Sequence, residues 1–306
     1  MESKLIRNRY FLLFLISISI TVPGLSIEAP PESDPIGNGP WIINTFEGDN
    51  IEITLLERGL KHPFGLIHLP GTGTDDNPAG DVLIAEREGS LRLIRDGHLL
   101  SSPVNDLSQV IPLHKLFDIE LHPQFSSNQY IYFSWIKRLP HPDGTEKLWT
   151  TTALSRGVWS GRSLINFEEL FVADAWTDNP VCGASSRLHF LVDGTLVIGV
   201  SHCCDLEAPQ DLGTDIGKIL RLNDDGSIPE DNPFVGIEGG LPEIYALGIR
   251  SSMDFVTHAP TGDLWELQNG PQGGDEINII RPGRNYGWPQ ATFGRDYGGT
   301  LLETRP

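Results

Sequence analysis

The sequence predicts an all-β protein, a β-propeller with about four blades, and three observations lead to this fold class. The chain has 33 Gly and 23 Pro among its 306 residues, more turn formers than a helix-rich fold contains. From Trp41 onward, no segment shows sustained helical periodicity. One hairpin pattern instead recurs four times, as it does in propeller blades. A β-sandwich is the alternative, and the repetition disfavours it.

Each repeat opens with a short apolar strand, turns at Gly, Pro or Asp, and returns as a second strand. The opening pairs lie at residues 65–69 with 81–85, 118–121 with 130–133, 187–191 with 195–199, and 253–256 with 263–267. A further strand pair is predicted after each of them, for example from residues 90–94 and from residues 218–222. Because one four-stranded blade cannot bury both of its faces alone, we expect the blades to pack side by side.

The N-terminal segment has the pattern of a secretory signal peptide, predicted over residues 1–29. Basic residues precede an apolar run at residues 11–22, and this run is short of the roughly 20 residues that a membrane span needs. An uncleaved anchor is therefore the weaker alternative. A polar linker at residues 30–40 leads to the propeller, predicted over residues 41–306. We expect an exported protein, periplasmic or extracellular, without a membrane span in its mature form.

The charge balance restricts the partners of the protein. With 22 Lys and Arg against 41 Asp and Glu, the formal net charge is −19. Nucleic-acid binding depends on basic surfaces that neutralise phosphates. We therefore expect no nucleic-acid partner.

The three cysteines flank the hairpin of the third repeat. If its turn is centred on Asp193 and Gly194, residues whose numbers sum to about 387 face each other across the antiparallel strands. Cys182 then lies opposite Cys203 or Cys204. A disulfide between such neighbours would stabilise an exported protein by roughly 3 kcal/mol. A zinc site made by two cysteines and the adjacent histidine is a weaker alternative, because the spacing matches no standard zinc pattern.

Several motifs after residue 60 stand out: HPFGL at 62–66 with AEREG at 85–89, LFD at 116–118 with HPQF at 122–125, GKILRLN at 217–223 with GSIP at 226–229 and DNPF at 231–234, and GP at 270–271 with GDEIN at 274–278 and NYGWP at 285–289. Together they resemble the soluble pyrroloquinoline-quinone (PQQ) sugar dehydrogenases, which include aldose, glucose and sorbosone dehydrogenases. The resemblance implies a six-bladed propeller whose axial mouth holds PQQ and a calcium ion. It also implies a small-molecule sugar as the substrate.

The resemblance further implies that the chain is C-terminally incomplete, since only four blades and the start of a fifth fit before Pro306. An open arc of blades leaves one blade edge unpaired. We therefore expect the chain alone to be poorly soluble or oligomeric. A closed four-bladed ring is the alternative, and it needs a closing strand, for which residues 51–55 are the candidate.

The family oxidises a sugar by hydride transfer from a hydroxyl-bearing carbon to the quinone, with a histidine as the general base. By resemblance, the position of this base is Gly183, which cannot accept a proton, and the position of a family glutamine is Leu113. His202 is the remaining candidate base, although an exposed loop histidine without a catalytic role is the favoured interpretation. His122 and His189 are predicted to be structural.

The resemblance assigns the cofactor residues. Arg250 stands where the family's arginine meets the quinone carboxylates, and its planar guanidinium suits that contact. Ser251 and Asn269 stand at two further quinone positions, where the family has Asn and either Gln or His. Glu276 and the backbone carbonyl of Tyr286 have the spacing that the family uses for calcium. A solvated loop carboxylate is the alternative interpretation of Glu276.

Two functions of different classes follow from these observations. The first is a PQQ-dependent sugar dehydrogenase whose general base is missing from its usual position. The second is a catalytically inactive exported propeller that binds a carbohydrate or a protein partner. A glycoside hydrolase is disfavoured, because no carboxylate pair stands out among the loop residues.

Overall fold

A computed structural model describes residues 39–46, 48, 50–74, 80–179, 186–201 and 205–300. The chain divides into two compact units, Met1–Leu55 and Leu56–Pro306. In the first unit, β1 (Trp41–Asn44) pairs antiparallel with β2 (Asn50–Ile53). The candidate closing strand thus forms a local hairpin within its own unit.

The second unit contains four antiparallel sheets, which are the blades. In chain order their strands are β3 (Pro63–His68), β4 (Val82–Glu86), β5 (Ser90–Arg95), β6 (His98–Leu99) and β7 (Asn105–Asp106) in blade one; β8 (Leu113–Leu121), β9 (Tyr130–Pro140), β10 (Leu148–Trp159) and β11 (Leu164–Val172) in blade two; β12 (Leu188–Phe190), β13 (Leu196–Val200), β14 (Lys218–Leu222) and β15 (Ile244–Leu247) in blade three; and β16 (Ser252–His258), β17 (Asp263–Gln268) and β18 (Glu276–Ile280) in blade four. This architecture confirms the all-β propeller prediction.

Helical structure is limited to three short segments among the described residues. They are one α-helix, α1 (Phe125–Asn128), and two 3₁₀ turns, Leu107–Gln109 and Ala208–Gln210. In the described part of the chain, no helix has the length and apolar character that crossing a membrane would require.

The first strands of the four blades contact one another in the order β3, β8, β12, β16. Arg187, just before β12, donates to the Phe64 carbonyl of blade one at 2.9 Å, and the Leu188 N–H donates to Asp118 Oδ2 of blade two at 3.0 Å. Gly65 is required at this junction, because a Cβ there would lie 2.8 Å from Asp118 Oδ1. The blades are therefore joined by polar contacts between their first strands.

Apolar cores fill the space between successive blades. Trp135 is fully buried between blades one and two, Tyr132 between blades two and three, and Ile219 between blades three and four. The other face of blade four is different. It exposes the aliphatic residues Val256, Leu267, Ile277 and Ile279.

Strand positions agree with the sequence prediction at the opening hairpin of each blade, and two differences are informative. In blade four a single strand, β18, follows the opening hairpin where a pair was predicted, and residues 281–300 form no strand of a fifth blade. In blade two the strands β9 and β10 extend to Pro140 and from Leu148. Trp149 of this extension stacks on Trp176, with ring centroids 5.7 Å apart and an interplanar angle of 10°.

The register of the blade-three hairpin is close to the predicted one. Leu188 pairs with Ile198 and Phe190 with Leu196, so paired residue numbers sum to 386, compared with about 387 predicted from antiparallel pairing. The cysteines, Gly183 and His202 lie outside the described residues. The disulfide and the candidate base therefore stay predictions.

Candidate cofactor site

Arg250 lies in the short segment between β15 and β16 and is only 4% exposed. Its Nη1 donates to the backbone carbonyl of Asn269 at 2.8 Å and to the Asn269 side-chain oxygen at 2.7 Å. Its Nη2 donates to the Tyr297 hydroxyl at 2.8 Å, and its Cζ lies 5.5 Å from the Trp288 ring centroid. The guanidinium is thus held in one orientation by uncharged groups.

Arg250 differs in its charge partners from the other buried arginines of the described residues. Arg92 forms an ion pair with Glu86, and Arg221 forms ion pairs with Asp193 and Asp231. No carboxylate within the described residues pairs with Arg250, whose buried Nε–H, like that of Arg92, has no hydrogen-bond partner among them. A buried charge without a counter-ion is costly. An anionic ligand would supply the missing negative charge.

The structure brings the three predicted quinone-binding residues together. The Asn269 N–H donates to the Ser251 carbonyl at 3.0 Å, and Asn269 also holds the Arg250 guanidinium. The Ser251 hydroxyl is 3.1 Å from the Ser201 hydroxyl of blade three. Arg250, Ser251 and Asn269 therefore form one cluster at the start of blade four, and their roles toward a quinone stay predictions.

Glu276 opens β18 beside this cluster, where it pairs in register with Gln268. Its Oε2 accepts a hydrogen bond from Gln268 Nε2 at 2.8 Å and one from Asn278 Nδ2 at 3.3 Å. Burial raises the pKa of this half-buried carboxyl. Among the described residues no donor reaches Oε1, so this oxygen can accept a cation.

Glu266 is a second carboxylate of this region that the sequence analysis missed. It is fully buried in β17, where Oε1 accepts from the Ser252 hydroxyl at 2.8 Å and Oε2 from Asn278 Nδ2 at 3.0 Å. Burial raises its pKa to about 7, and the neighbouring charge of Glu276 contributes to the rise. The signal for its role is the period-2 alternation of β17, which places Leu264, Glu266 and Gln268 on one face.

Tyr286 is tied to blade three and to blade four. Its N–H donates to the Leu247 carbonyl at 2.9 Å, and its hydroxyl donates to the Ile279 carbonyl at 2.7 Å. Its own carbonyl oxygen accepts no hydrogen bond from the described residues. No group of three or more His, Cys, Asp or Glu within the described ranges is arranged to hold a metal. The Tyr286 carbonyl is a backbone oxygen, a ligand type that calcium accepts, and its part in a calcium site stays a prediction.

The remaining predicted positions lie elsewhere. Leu113 begins β8, and His122 is buried, with Nδ1 2.8 Å from Asn128 Nδ2. His189 lies between blades two and four, with Nε2 2.8 Å from Thr257 Oγ1 and Nδ1 3.9 Å from Glu120 Oε1. Burial lowers the pKa of His189 and raises that of Glu120 to about 8. Neither histidine contacts the Arg250 cluster.

The fold and this cluster define a β-propeller protein with a buried, unneutralised arginine at the start of a blade. A model of the glucose/sorbosone dehydrogenase family matches residues 60–305. An aldose sugar dehydrogenase of Escherichia coli is 34% identical over 253 residues, which cover 81% of this chain and 64% of that protein. An uncharacterized protein of Synechocystis is 33% identical over 260 residues, covering 78% and 59%. The structure of a PQQ-bound aldose sugar dehydrogenase from Streptomyces coelicolor matches with a TM-score of 0.60 at 25% identity, covering 81% of this chain and 68% of that one.

The chain belongs to the glucose/sorbosone dehydrogenase family. It spans about three fifths of the length of the two curated relatives named above. The resemblance predicted from the sequence motifs is thereby confirmed.

Proposed function

We propose that this chain carries part of the cofactor site of an exported, PQQ- and calcium-dependent sugar dehydrogenase. The observation that supports this most directly is the buried Arg250, which has only uncharged partners among the described residues. PQQ is an anionic quinone with several carboxylates, and a guanidinium binds carboxylates through paired N–H donors. Family membership supports the choice of this anion over others.

The residues of the cluster would bind the two cofactors at two ends of the site. Arg250 would bind the quinone carboxylates, while Asn269 and Tyr297 orient its guanidinium. Glu276 and the Tyr286 carbonyl would hold calcium with hard oxygen ligands. If bound, the quinone would supply a hydride acceptor for sugar oxidation, and calcium would supply a Lewis acid. Calcium binding to a half-buried carboxylate also removes the cost of leaving that negative charge unpaired.

Binding of the two cofactors can be measured without turnover. PQQ titrated into the purified chain with calcium should bind saturably, and Arg250→Met should weaken binding by about 10- to 100-fold, because charge-assisted hydrogen bonds are lost. Arg281→Met is the matched control, since Arg281 is an exposed arginine of the same blade that pairs with Asp263. Equal PQQ affinity in both variants would contradict the assignment of Arg250.

A second candidate function is a propeller that binds its ligand without turnover, and Gly183 at the family base position favours it. A positioned general base contributes about 10²- to 10⁴-fold to a rate. In the full-length protein loaded with PQQ and calcium, we expect aldose oxidation to be slow, and Gly183→His to raise its rate within that range. Rapid turnover by the unmodified protein would contradict this expectation, and His202→Ala would then show whether His202 is the base.

A further inference from the structure

Gln268 is the last residue of β17 and is 5% exposed. Its Oε1 accepts the backbone N–H of Arg250 at 2.9 Å, and its Nε2 donates to Glu276 Oε2 at 2.8 Å. We propose that Gln268 is a positioning residue that couples the cation-binding carboxylate to the quinone-binding arginine. This inference rests on the proposed function and adds a residue that neither the sequence motifs nor the fold assigned.

The chemistry of the two partners requires a carboxamide at this position. A backbone N–H needs an acceptor, and a carboxylate needs a donor. Gln268 supplies both from one side chain, so its orientation is determined by its partners. The strand register supports this placement, because Ser252 pairs with Gln268 and Gln268 pairs with Glu276. The three residues lie side by side on neighbouring strands at one end of blade four, and the Gln268 side chain connects its two partners along this end.

Asn278 provides a comparison within the same network. Its Nδ2 donates to Glu276 Oε2 at 3.3 Å and to Glu266 Oε2 at 3.0 Å, and the other oxygen of Glu266 accepts from Ser252. Asn278 therefore orients Glu276 without reaching Arg250. Loss of either side-chain amide should make the Glu276 carboxylate more mobile. Only Gln268 also contacts the Arg250 backbone, so only Gln268 transmits the restraint of Glu276 to Arg250.

The consequence is a reciprocal linkage, in which restraint of Glu276 and restraint of Arg250 favour each other. When a cation holds Glu276 in place, the Gln268 amide is restrained and its hydrogen bond to the Arg250 N–H opens less often. By linkage, restraint of Arg250 favours the cation-binding arrangement of Glu276 to the same extent. This coupling needs no change of fold and can be measured at one backbone amide.

The test uses the full chain with calcium alone and reads two quantities, the melting temperature and the hydrogen exchange of the Arg250 amide. Calcium should raise the melting temperature by mass action and should slow exchange at Arg250 severalfold. Gln268→Met, which keeps the side-chain volume and removes both hydrogen bonds, should abolish the slowing. Asn278→Ala should weaken calcium binding and still show the slowing at saturating calcium. Gln109→Met, at an exposed glutamine between blades one and two, is the control.

The outcomes separate the two proposals. If calcium raises the melting temperature and Gln268→Met still shows slowed exchange at Arg250, the coupling role is wrong and the calcium site stands. If calcium changes neither quantity in the unmodified chain, the calcium site itself fails and this inference fails with it. Should Gln268→Met not fold, Gln268→Asn replaces it, because its amide is one carbon too short to reach both partners. Retained slowing in Gln268→Asn would equally contradict the coupling.

Discussion

Arg221 in blade three and Arg250 at the start of blade four are both buried, yet their surroundings differ. Arg221 donates to Asp193 Oδ2 at 2.9 Å and to Asp231 Oδ1 at 2.8 Å. Arg250 donates only to an amide, a backbone carbonyl and a phenol within the described residues. A protein neutralises a structural charge internally, whereas a buried charge left unneutralised is typical of a ligand site. Arg221 is therefore a structural arginine neutralised by its neighbours, and Arg250 is the arginine that we propose to bind an anion.

Carboxylates near the two arginines titrate in opposite directions. The hydrogen bond and charge of Arg221 lower the pKa of Asp231. Near Arg250, burial raises the pKa of Glu266 and of Glu276, and neither carboxylate pairs with the arginine. The two aspartates paired with Arg221 are thus stabilised in their charged form. Burial instead disfavours the charged form of the two carboxylates near Arg250.

The largest effect expected from this comparison is on stability at Arg221. Arg221→Met should lower the free energy of unfolding by about 3 kcal/mol, the low end for breaking a buried pair, because both aspartates can regain water. Denaturant unfolding measures the change. Arg281→Met, which removes an exposed pair, should cost much less, because solvent screens that pair. Equal losses of unfolding free energy in the two variants would show that the ion pairs of the buried arginine stabilise the fold no more than the exposed pair does.

The second effect is a pH dependence that originates at Glu266. Its pKa of about 7 in the folded protein lies above the usual value of 4.5. The folded state therefore binds the extra proton, and the free energy of unfolding should fall as pH rises from about 4.5 to 7. Glu266→Gln should remove this fall and be more stable than the unmodified chain by up to about 3 kcal/mol at pH 8.

The variant and the unmodified chain should have nearly equal stability near pH 4, where the carboxyl is protonated in both states. Unfolding curves at pH 4, 6 and 8 without calcium test the sign of the effect. A stability difference that stays constant across these three values would show that Glu266 does not titrate in this range.

The smallest expected effect is on stability at Arg250. Arg250→Met removes an unneutralised buried charge, so the free energy of unfolding without ligand should change by less than about 1 kcal/mol, in either direction. Thermal unfolding in parallel with Arg221→Met provides the measurement. A loss as large as that in Arg221→Met would show that Arg250 is a structural arginine, and the binding role would then need another residue.

Sequence patterns predicted most of the strands, because apolar alternation reports directly on burial. Residues 218–222 were predicted as a strand and form β14 with the same bounds. The extension of β9 to Pro140 was missed, because Lys137 and Arg138 interrupt the apolar pattern and the last three residues are exposed. Blade four has β18 alone where a strand pair was predicted, because a repeat pattern indicates that a blade is present and does not determine how many strands it has.

The candidate site was predicted less completely, and the reason is its dependence on contacts between distant residues. Arg250 and Glu276 were found through motifs that surround them in the sequence. Gln268 and Glu266 carry no motif, and their roles arise from pairing of β17 with both neighbouring strands. That no carboxylate of the described residues pairs with Arg250 could not be predicted either, because the partners of Arg221 come from turns 10 and 28 residues away in the chain.

The stacked indoles of Trp149 and Trp176 have an optical consequence. Two indole rings with centroids 5.7 Å apart and planes inclined by 10° are close enough for their electronic transitions to couple as an exciton pair. Such a pair contributes its own component to circular dichroism, separate from the signal of the β-sheets. Because Trp149 belongs to the β9–β10 hairpin and Trp176 to the segment after β11, this component reports on their contact alone. Blade two therefore contains an intrinsic spectroscopic probe, which Trp176→Phe would abolish without adding a label.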